Sequence, residues 1–340
     1  MYKLCDGVFE GGGVKGIGLV GAVHEIEMAG YRFVNVVGTS AGAIVASLLG
    51  VGFTSGEIKD EMMKLDFRKF QKNDTLTGMG LVGKAVKFVW KNGVYSADYL
   101  EAWLEELFQR KGKTCFGDIR IENAEHERYR YKFQAIASDL SDSRMLVLPR
   151  DLQNFGLNPD RFSIAKAVRM SMSIPVFYEP VILTDADGRD HMIVDGGLLS
   201  NYPVWLLDDN APDPLYPTFG FRFCSFGVDE YGPQDYQAIG TPVSFVKALV
   251  RTTLDAHDKH FISGASGDLE RTIPISADII INSKKCAVSA VHFGIKPQER
   301  DSLYQNGASA AKNFLRTWDF EEWKRKYRKK TRLMRKARIA

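Results

Sequence analysis

The spacing of apolar residues near the start of the chain alternates between that of strands and that of helices. A short apolar run covers 7–9, and apolar residues at helical spacing follow over 16–29, before Gly30. A second apolar run over 33–37 precedes a stretch of small and apolar residues, 43–49, typical of a closely packed helix. This strand, helix, strand, helix order predicts an α/β fold with a mostly parallel sheet covered by helices.

The rest of the chain continues the same mixture. Strands are predicted over 132–137, 145–148, 191–194, 219–226 and 279–281. Helices are predicted over 54–115, 163–170, 242–258 and 298–318. Because no repeat or linker divides the chain, we expect one three-layer domain over 1–320, with a mostly parallel central sheet flanked by helices, and a basic C-terminal tail over 321–340.

The positive charge of the chain belongs to its last residues. The 340 residues carry 45 Lys or Arg and 42 Asp or Glu, a net charge of +3. Ten of the basic residues and none of the acidic ones lie from Lys324 onward, so the remainder has 35 basic against 42 acidic residues, or −7. Such a tail suits anionic lipid headgroups, nucleic acid or an acidic partner, or it stays solvated.

Several classes of protein are excluded by composition. The longest nearly unbroken stretch of apolar or small residues, 42–53, is shorter than the roughly 20 residues that a membrane-spanning helix needs. The first residues show no signal region, and the four cysteines form no C-x-x-C pair, so neither a disulfide scaffold nor a zinc ribbon is expected. We therefore expect a cytoplasmic protein.

The first glycine motif, 11–16, lies between a predicted strand and a predicted helix and fits G-x-G-x-x-G. A dinucleotide-binding turn shares this pattern, but it needs an acidic residue at the end of the second strand. Here Gly38 stands there instead, and the phosphate-binding G-x-x-x-x-G-K-[ST] pattern is also missing. A nucleotide cofactor is therefore disfavoured, and no cofactor is expected.

The second motif is more specific. Gly38-Thr39-Ser40-Ala41-Gly42 is G-x-S-x-G between a strand and a helix, the context of a nucleophile elbow. Such a turn exposes the Ser40 hydroxyl, while the helix behind it directs N–H groups and its positive end toward the reacting centre. The alternative is a turn of small residues that merely packs a helix on a strand.

A serine nucleophile needs a base, and the histidines offer no supporting pattern. His257 and His260 lie on a charged helical stretch, more typical of a solvated face, and His292 lies in a predicted loop. Asp195 is better placed, because it ends an apolar strand, where active sites of parallel sheets form. Burial would raise its pKa enough for it to act as a base, although an aspartate before glycine also commonly caps a turn.

Three stretches together resemble the patatin-like phospholipase family: Glu10 to Gly16, Gly38 to Gly42, and Asp195-Gly196-Gly197. Their order and spacing match that family, and 167–177 and 195–203 are similar to it as well. The resemblance covers roughly residues 5–205.

The resemblance implies a lipid acyl hydrolase with a Ser–Asp dyad and without a catalytic histidine. Ser40 would be the nucleophile and Asp195 the base, acting on phospholipids or other lipid esters. The backbone N–H groups expected to form the oxyanion hole are those of Gly11, Gly12, Gly13 and Val14. The other residues of the motifs are Lys15, Gly16, Gly38, Gly42, Gly196 and Gly197. No metal is expected, since no calcium-loop pattern is present.

Two segments of the chain could contact a lipid surface. Residues 81–91, within 76–95, mix apolar residues with lysines and could form a lid or membrane-contact helix, or a helix packed on the body. The basic tail suggests peripheral contact with an anionic membrane, and no nucleic acid partner is expected. The alternative function is a patatin-fold binding or signalling protein with little hydrolase activity.

Overall fold

A computed structural model describes residues 2–71, 98–124, 126–175, 177–208, 211–224, 239, 248, 267–281 and 284–328. The α-helices, numbered in chain order, are α1 Ile17–Met28, α2 Ala41–Val51, α3 Ser55–Lys64, α4 Asp98–Arg110, α5 Ile164–Ser171, α6 Pro297–Thr317 and α7 Phe320–Tyr327. The strands are β1 Lys3–Phe9, β2 Tyr31–Thr39, β3 Phe133–Asp139, β4 Arg144–Leu148, β5 Val181–Thr184, β6 Asp190–Asp195, β7 Thr218–Cys224, β8 Thr272–Ser276, β9 Asp278–Ile281 and β10 Lys284–Ala287.

The central sheet has eight strands in the order β5-β6-β3-β2-β1-β7-β8, with β4 paired to β3 outside this path. The run β3-β2-β1-β7-β8 is parallel throughout, whereas β4 and β6 join β3 in antiparallel fashion and β5 pairs antiparallel with β6. The strands β9 and β10 form a separate antiparallel hairpin. Because the five parallel strands point the same way, their carboxyl ends share one edge of the sheet, where Ser40 follows β2.

Apolar side chains are buried on both faces of this sheet. The larger core includes Phe9 of β1 and Phe221 of β7, whose rings stack with centroids 4.5 Å apart, together with the apolar residues of α1, α2, α5 and α6. The smaller core gathers Val8, Val37 and Ile136 from the sheet against Tyr202 and Val204. Two buried faces explain why the parallel strands are apolar along their length rather than alternating.

The predicted three-layer α/β fold with a mostly parallel sheet is confirmed. The predicted elements before residue 51, and those at 132–137, 145–148, 163–170, 191–194, 279–281 and 298–318, are present with ends shifted by a few residues. The helical prediction for 54–115 is only partly confirmed, by α3, a 3₁₀ turn over Phe67–Gln71 and α4. The predicted segment 81–91, the helix over 242–258 except residue 248, and the end of the strand at 225–226 lie outside the described residues.

The sequence patterns do not predict β5, β8, β10 or α7. The helix α7 is notable because it lies within the predicted basic tail and packs on the body. Trp323 is 5% exposed and its indole Nε1 donates to Gly267 O at 2.9 Å. The division between a domain over 1–320 and a tail over 321–340 stays a prediction. Within the described ranges, none of the helices combines the length and apolar character needed to cross a bilayer.

Candidate active site

Ser40 stands at a sharp turn between β2 and α2. Its backbone φ is 54° and ψ is −125°, a conformation that costs a non-glycine residue on the order of 1–3 kcal/mol. The turn also requires glycine on both sides. A Cβ on Gly38 would lie 2.3 Å from the carbonyl carbon of Gly42, and one on Gly42 would lie 2.2 Å from Phe9 O. The G-x-S-x-G pattern thus has a direct steric cause in this fold.

The short segment 171–173, where α5 ends, contacts both Ser40 and Asp195. The Ser40 N–H donates to Ser171 Oγ at 2.9 Å, and the Asp195 N–H donates to Ser173 O at 2.9 Å. The Ser40 hydroxyl donates to Met172 Sδ at 3.4 Å. The fold thereby makes Ser40 and Asp195 neighbours, although they are far apart in the sequence.

Asp195 ends β6 beside Ala137 of β3 and is 3% exposed. Its Oδ1 accepts the Gly197 N–H at 2.8 Å, whereas Oδ2 is buried and has no hydrogen-bond partner among the described residues. Burial raises the pKa of Asp195 to about 7, and the Gly197 N–H and the nearby Ser40 hydroxyl partly oppose that rise. No charged side chain contributes to this pKa in the described part of the chain. The carboxyl group therefore ionises near neutral pH.

The glycine loop lies directly against Ser40, because a Cβ on Gly11 would come within 3.1 Å of Ser40 Cβ. Two of its four N–H groups are engaged: Gly11 donates to Asn201 O at 3.1 Å and Val14 donates to Ala290 O at 2.9 Å. Across the described ranges, the N–H groups of Gly12 and Gly13 donate to no protein acceptor. Backbone donors without a protein acceptor, in a loop packed against a serine, are what an oxyanion hole requires.

The remaining residues of the motifs support this loop. Gly13 has φ 57°, and a Cβ there would lie 1.9 Å from Ala290 O, so only glycine fits. A Cβ on Gly16 would contact Ala41 Cβ at 3.3 Å, and one on Gly196 would lie 2.2 Å from Ile136 O. The Lys15 ammonium lies 4.8 Å from the centre of the Phe223 ring, a cation–π distance.

A narrow apolar cavity begins beside Gly13 and Ala41. Its wall includes Ile44, Met62, Phe67, Met172, Ile174 and Phe293. The volume of this cavity is about 10 Å³, which is room for about one water molecule. The cavity is therefore apolar, next to the Ser40 turn, and small.

The described histidines make their contacts away from Ser40. His24 Nδ1 lies 3.1 Å from Ser55 Oγ, and His292 Nε2 lies 3.9 Å from Glu299. His191 Nδ1 lies 2.9 Å from Asp139 Oδ2. His257 and His260 lie outside the described residues. Among the described residues, no imidazole contacts the Ser40 hydroxyl.

One cluster has the composition of a metal site. Ligand atoms of Asp139, Asp142 and His191 lie within 4.8 Å of one another. However, His191 already hydrogen-bonds to Asp139, and Arg144 pairs with both aspartates, at 3.4 and 3.5 Å. These internal partners occupy the ligand atoms, so the cluster is an ion-pair network.

The sequence patterns do not identify Ser171, Met172 or Asn201 as residues of the site. Asn201 lies against the loop, because a Cβ on Gly11 would be 2.2 Å from its Oδ1. The only signal for these residues was that the stretches 167–177 and 195–203 look like the patatin-like family. Their roles depend on contacts across more than 130 positions of the chain, which no local pattern encodes.

Comparisons with known proteins agree with the fold and the motifs. The patatin-like phospholipase family profile matches residues 7–208. An uncharacterized protein of Bacillus subtilis, YqhO, is 36% identical, covering 93% of this chain and 99% of its own. A probable lipid hydrolase of invertebrate iridescent virus 6, 463L, is 22% identical, covering 58% of this chain and 61% of its own. The crystal structure of VipD from Legionella pneumophila shares the fold, with a TM-score of 0.52 and 16% identity over 93% of this chain and 67% of that one.

Proposed function

Because this chain belongs to the patatin-like phospholipase family, we propose that it is a lipid acyl hydrolase that cleaves carboxylic esters of phospholipids or related lipids. Family membership supports the hydrolase class, and the probable lipid hydrolase among the relatives points to a lipid substrate. The finer assignment gives Ser40 the role of nucleophile and Asp195 the role of general base, with no histidine and no metal.

The first half of the reaction is acylation. Ser40 Oγ attacks the ester carbonyl carbon and its proton passes to the Asp195 carboxylate, where Oδ2 is open to receive it. The carbonyl oxygen becomes an oxyanion, and the N–H groups of Gly12 and Gly13 donate to it. The C–O bond of the ester then breaks, the leaving alcohol takes the proton from Asp195, and an acyl-serine ester remains.

The second half releases the fatty acid. Asp195, again ionised, takes a proton from a water molecule whose oxygen attacks the acyl-serine carbonyl. The same two N–H groups bind the second oxyanion. When the bond to Ser40 Oγ breaks, the proton held by Asp195 returns to that oxygen, so the dyad regains its starting state.

The observation that carries the proposal is the link between the two residues through 171–173. That segment contacts both a serine with positive φ and a buried aspartate whose pKa is raised to about 7. A base is most effective when its pKa lies near the working pH. The oxyanion role is narrowed to Gly12 and Gly13, because the N–H groups of Gly11 and Val14 already have acceptors.

Fluorophosphonate labelling tests the proposal, because this reagent phosphonylates activated serines with loss of fluoride. We expect labelling of the wild-type chain and hydrolysis of phosphatidylcholine and phosphatidylglycerol vesicles, both lost in Ser40→Ala. Ser47→Ala is the matched control, since Ser47 is buried in the same helix α2 and its hydroxyl donates to Ile44 O. A wild-type chain that binds vesicles but is neither labelled nor hydrolytic would instead support the binding or signalling alternative.

Peripheral membrane contact, by a protein that resides in the cytoplasm, is a second part of the proposal and concerns the residues after Arg328. Lys324 is 8% exposed and its ammonium lies 2.8 Å from Asp213, while Arg328 pairs with Asp208. These two charges are paired in the folded body, so the lipid role is assigned to the six Lys and Arg beyond 328. Deleting 329–340 should weaken binding to phosphatidylglycerol vesicles at low salt without lowering fluorophosphonate labelling. Unchanged vesicle binding would remove the lipid role of the tail.

A further inference from the structure

The Ser40 hydroxyl donates its hydrogen bond to a side chain that cannot act as a general base. It donates to Met172 Sδ at 3.4 Å, and a thioether sulfur is a weak acceptor. Meanwhile Asp195 Oδ2, on a side chain that is buried and adjacent, accepts no hydrogen bond from any described residue. A buried carboxylate oxygen without a donor is rare enough in folded proteins to need an explanation.

The same methionine also lines the apolar cavity. Met172 is 5% exposed and forms part of the wall, together with Ile44, Met62 and Ile174. With room for about one water, the cavity does not admit an acyl chain until a wall side chain moves. Methionine is suited to such movement, because it has three rotatable bonds and no branch.

We propose that Met172 is a positioning residue that couples entry of an acyl chain to assembly of the Ser40–Asp195 pair. This inference rests on the proposed function. An acyl chain that enters the cavity displaces the Met172 thioether and takes its place against the apolar wall. The Ser40 hydroxyl, having lost its sulfur acceptor, then turns to Asp195 Oδ2.

The coupling makes a specific statement about substrates. A long acyl chain fills the cavity and displaces Met172, whereas a short acyl group reaches Ser40 without doing so. A short ester therefore reaches Ser40 while the Ser40 hydroxyl still donates its hydrogen bond to the Met172 sulfur. The chain should prefer long acyl groups by more than the burial of additional methylenes alone provides.

Three variants separate this role from simple packing. Met172→Leu keeps an apolar side chain of similar volume but removes the sulfur acceptor. Met172→Ala removes the acceptor and opens the cavity as well. Met170→Leu is the matched control, because Met170 is fully buried in the last turn of α5, two residues before Met172, and is not part of the cavity wall.

The measurement is the rate of Ser40 labelling by two alkyl fluorophosphonates, one with a two-carbon and one with a twelve-carbon chain. For Met172→Leu we expect the short probe to react about fivefold faster than with the wild type, the gain from removing one neutral hydrogen bond. The long probe should change much less, so the ratio of long-chain to short-chain rates falls. The same fall is expected for Met172→Ala, and Met170→Leu should keep the wild-type ratio.

Each other outcome has a distinct meaning. If Met172→Leu keeps the wild-type ratio while Ser40 is labelled normally, Met172 is only a packing residue and the inference is overturned, although the proposed function stands. If Ser40 is not labelled in the wild-type chain, the proposed function itself fails, and this inference fails with it. Should Met172→Ala not fold, Met172→Leu carries the test alone.

The pH dependence of short-probe labelling gives a second readout, which a packing role would not change. A hydroxyl that donates directly to Asp195 Oδ2 favours the ionised carboxylate and lowers its pKa further than the nearby Ser40 hydroxyl does in the wild type. The acid limb of the Met172→Leu profile should therefore lie at lower pH than that of the wild type. Only burial, the Gly197 N–H and Ser40 act on this carboxyl group within the described residues, so no other titrating group confuses the comparison. Coincident acid limbs would overturn the inference.

Discussion

The parallel strands end at two edges: their carboxyl ends form the Ser40 edge, and their amino ends form the Arg271 edge. Buried carboxylates have different partners at these two edges. At the edge that holds Ser40, the buried Asp195 carboxylate accepts one hydrogen bond and has no charged partner among the described residues. At the opposite edge, before β8 begins, Asp208 and Asp268 surround Arg271, which is 2% exposed and whose Nη2 lies 2.8 Å from Asp208 Oδ2. Arg328, at the end of α7, pairs with the same Asp208.

The difference teaches that burial alone does not decide what a carboxylate does. A buried ion pair resists the loss of either partner, because the other charge would remain in a medium of low dielectric constant. A buried carboxylate without a cation instead raises its own pKa and becomes able to exchange a proton near neutral pH. We therefore expect changes at the Ser40 edge to affect the reaction and changes at the Arg271 edge to affect stability.

The largest expected effect is that of Asp195→Asn. The amide has nearly the same shape but cannot accept the proton of Ser40, so hydrolysis of phospholipid vesicles should fall by about 10²- to 10⁴-fold. Because burial penalises the Asp195 charge and no charged partner among the described residues offsets this, the amide should leave the unfolding temperature at pH 7 unchanged or higher. If Asp195→Asn lost activity only because it unfolds, the expectation that changes at the Ser40 edge affect the reaction rather than stability would be wrong.

Asp208→Ala should have the reverse effect. It leaves Arg271 and Arg328 buried with one carboxylate fewer, which costs about 3–5 kcal/mol in the free energy of unfolding. Labelling of Ser40 per folded molecule should stay at the wild-type level. The control is Asp187→Ala, because Asp187 pairs with Arg189 at 3.0 Å but its side chain is 75% exposed, and we expect a loss below about 1 kcal/mol. If Asp208→Ala and Asp187→Ala lowered the free energy of unfolding in urea by the same amount, the buried ion pairs of Asp208 would contribute no more to stability than an exposed pair.

Two glycines with positive φ sharpen the comparison further. Gly13→Ala, in the loop beside Ser40, places a methyl group against Ala290 O and should cost about 1–3 kcal/mol through overpacking, with a marked loss of activity as the loop moves. Gly30→Ala, at the start of β2 on the opposite edge, has φ 87° but nothing within 4 Å of the new methyl group. It should cost about 1 kcal/mol through its backbone conformation alone and keep full activity. Denaturant unfolding and vesicle hydrolysis measure both effects.

The sequence was sufficient to predict the strand, turn and helix around Ser40, because the causes of that turn are local. The strand, the glycines and the helix that hold Ser40 lie within one short stretch, and the turn forbids a Cβ at Gly38 and Gly42. The neighbourhood of Asp195 was expected only from its strand end and from the family resemblance. The contact with Met172 has no local signal, since it depends on how α5 ends against α2.

The Arg271 edge was not predictable in the same way. The basic run from Lys324 looked solvated, because its partners are far away in the sequence: Arg328 and Asp208 are 120 positions apart. The sequence pattern does not predict β8, because Pro274 interrupts its apolar residues. Proline is tolerated there because β8 is the last strand in the described order of the sheet. Long-range charge pairing and position within the sheet are properties of the fold rather than of a sequence window.

The pH dependence offers the finest distinction between the two edges. As the proposed general base, Asp195 would act only when ionised, so the rate of vesicle hydrolysis should rise about tenfold per pH unit below its pKa of about 7 and level off above it. Since burial, not a neighbouring charge, raises that pKa, the midpoint should shift little between low and high salt. For stability the sign is opposite: the folded pKa exceeds the unfolded value of about 3.9, so the contribution of Asp195 is greatest below that value and is lost as the pH rises toward 7. Asp195→Asn should remove this part of the pH dependence in urea unfolding, whereas Asp187→Ala should keep it. A midpoint that moves strongly with salt would mean that a charged group acts on Asp195 after all.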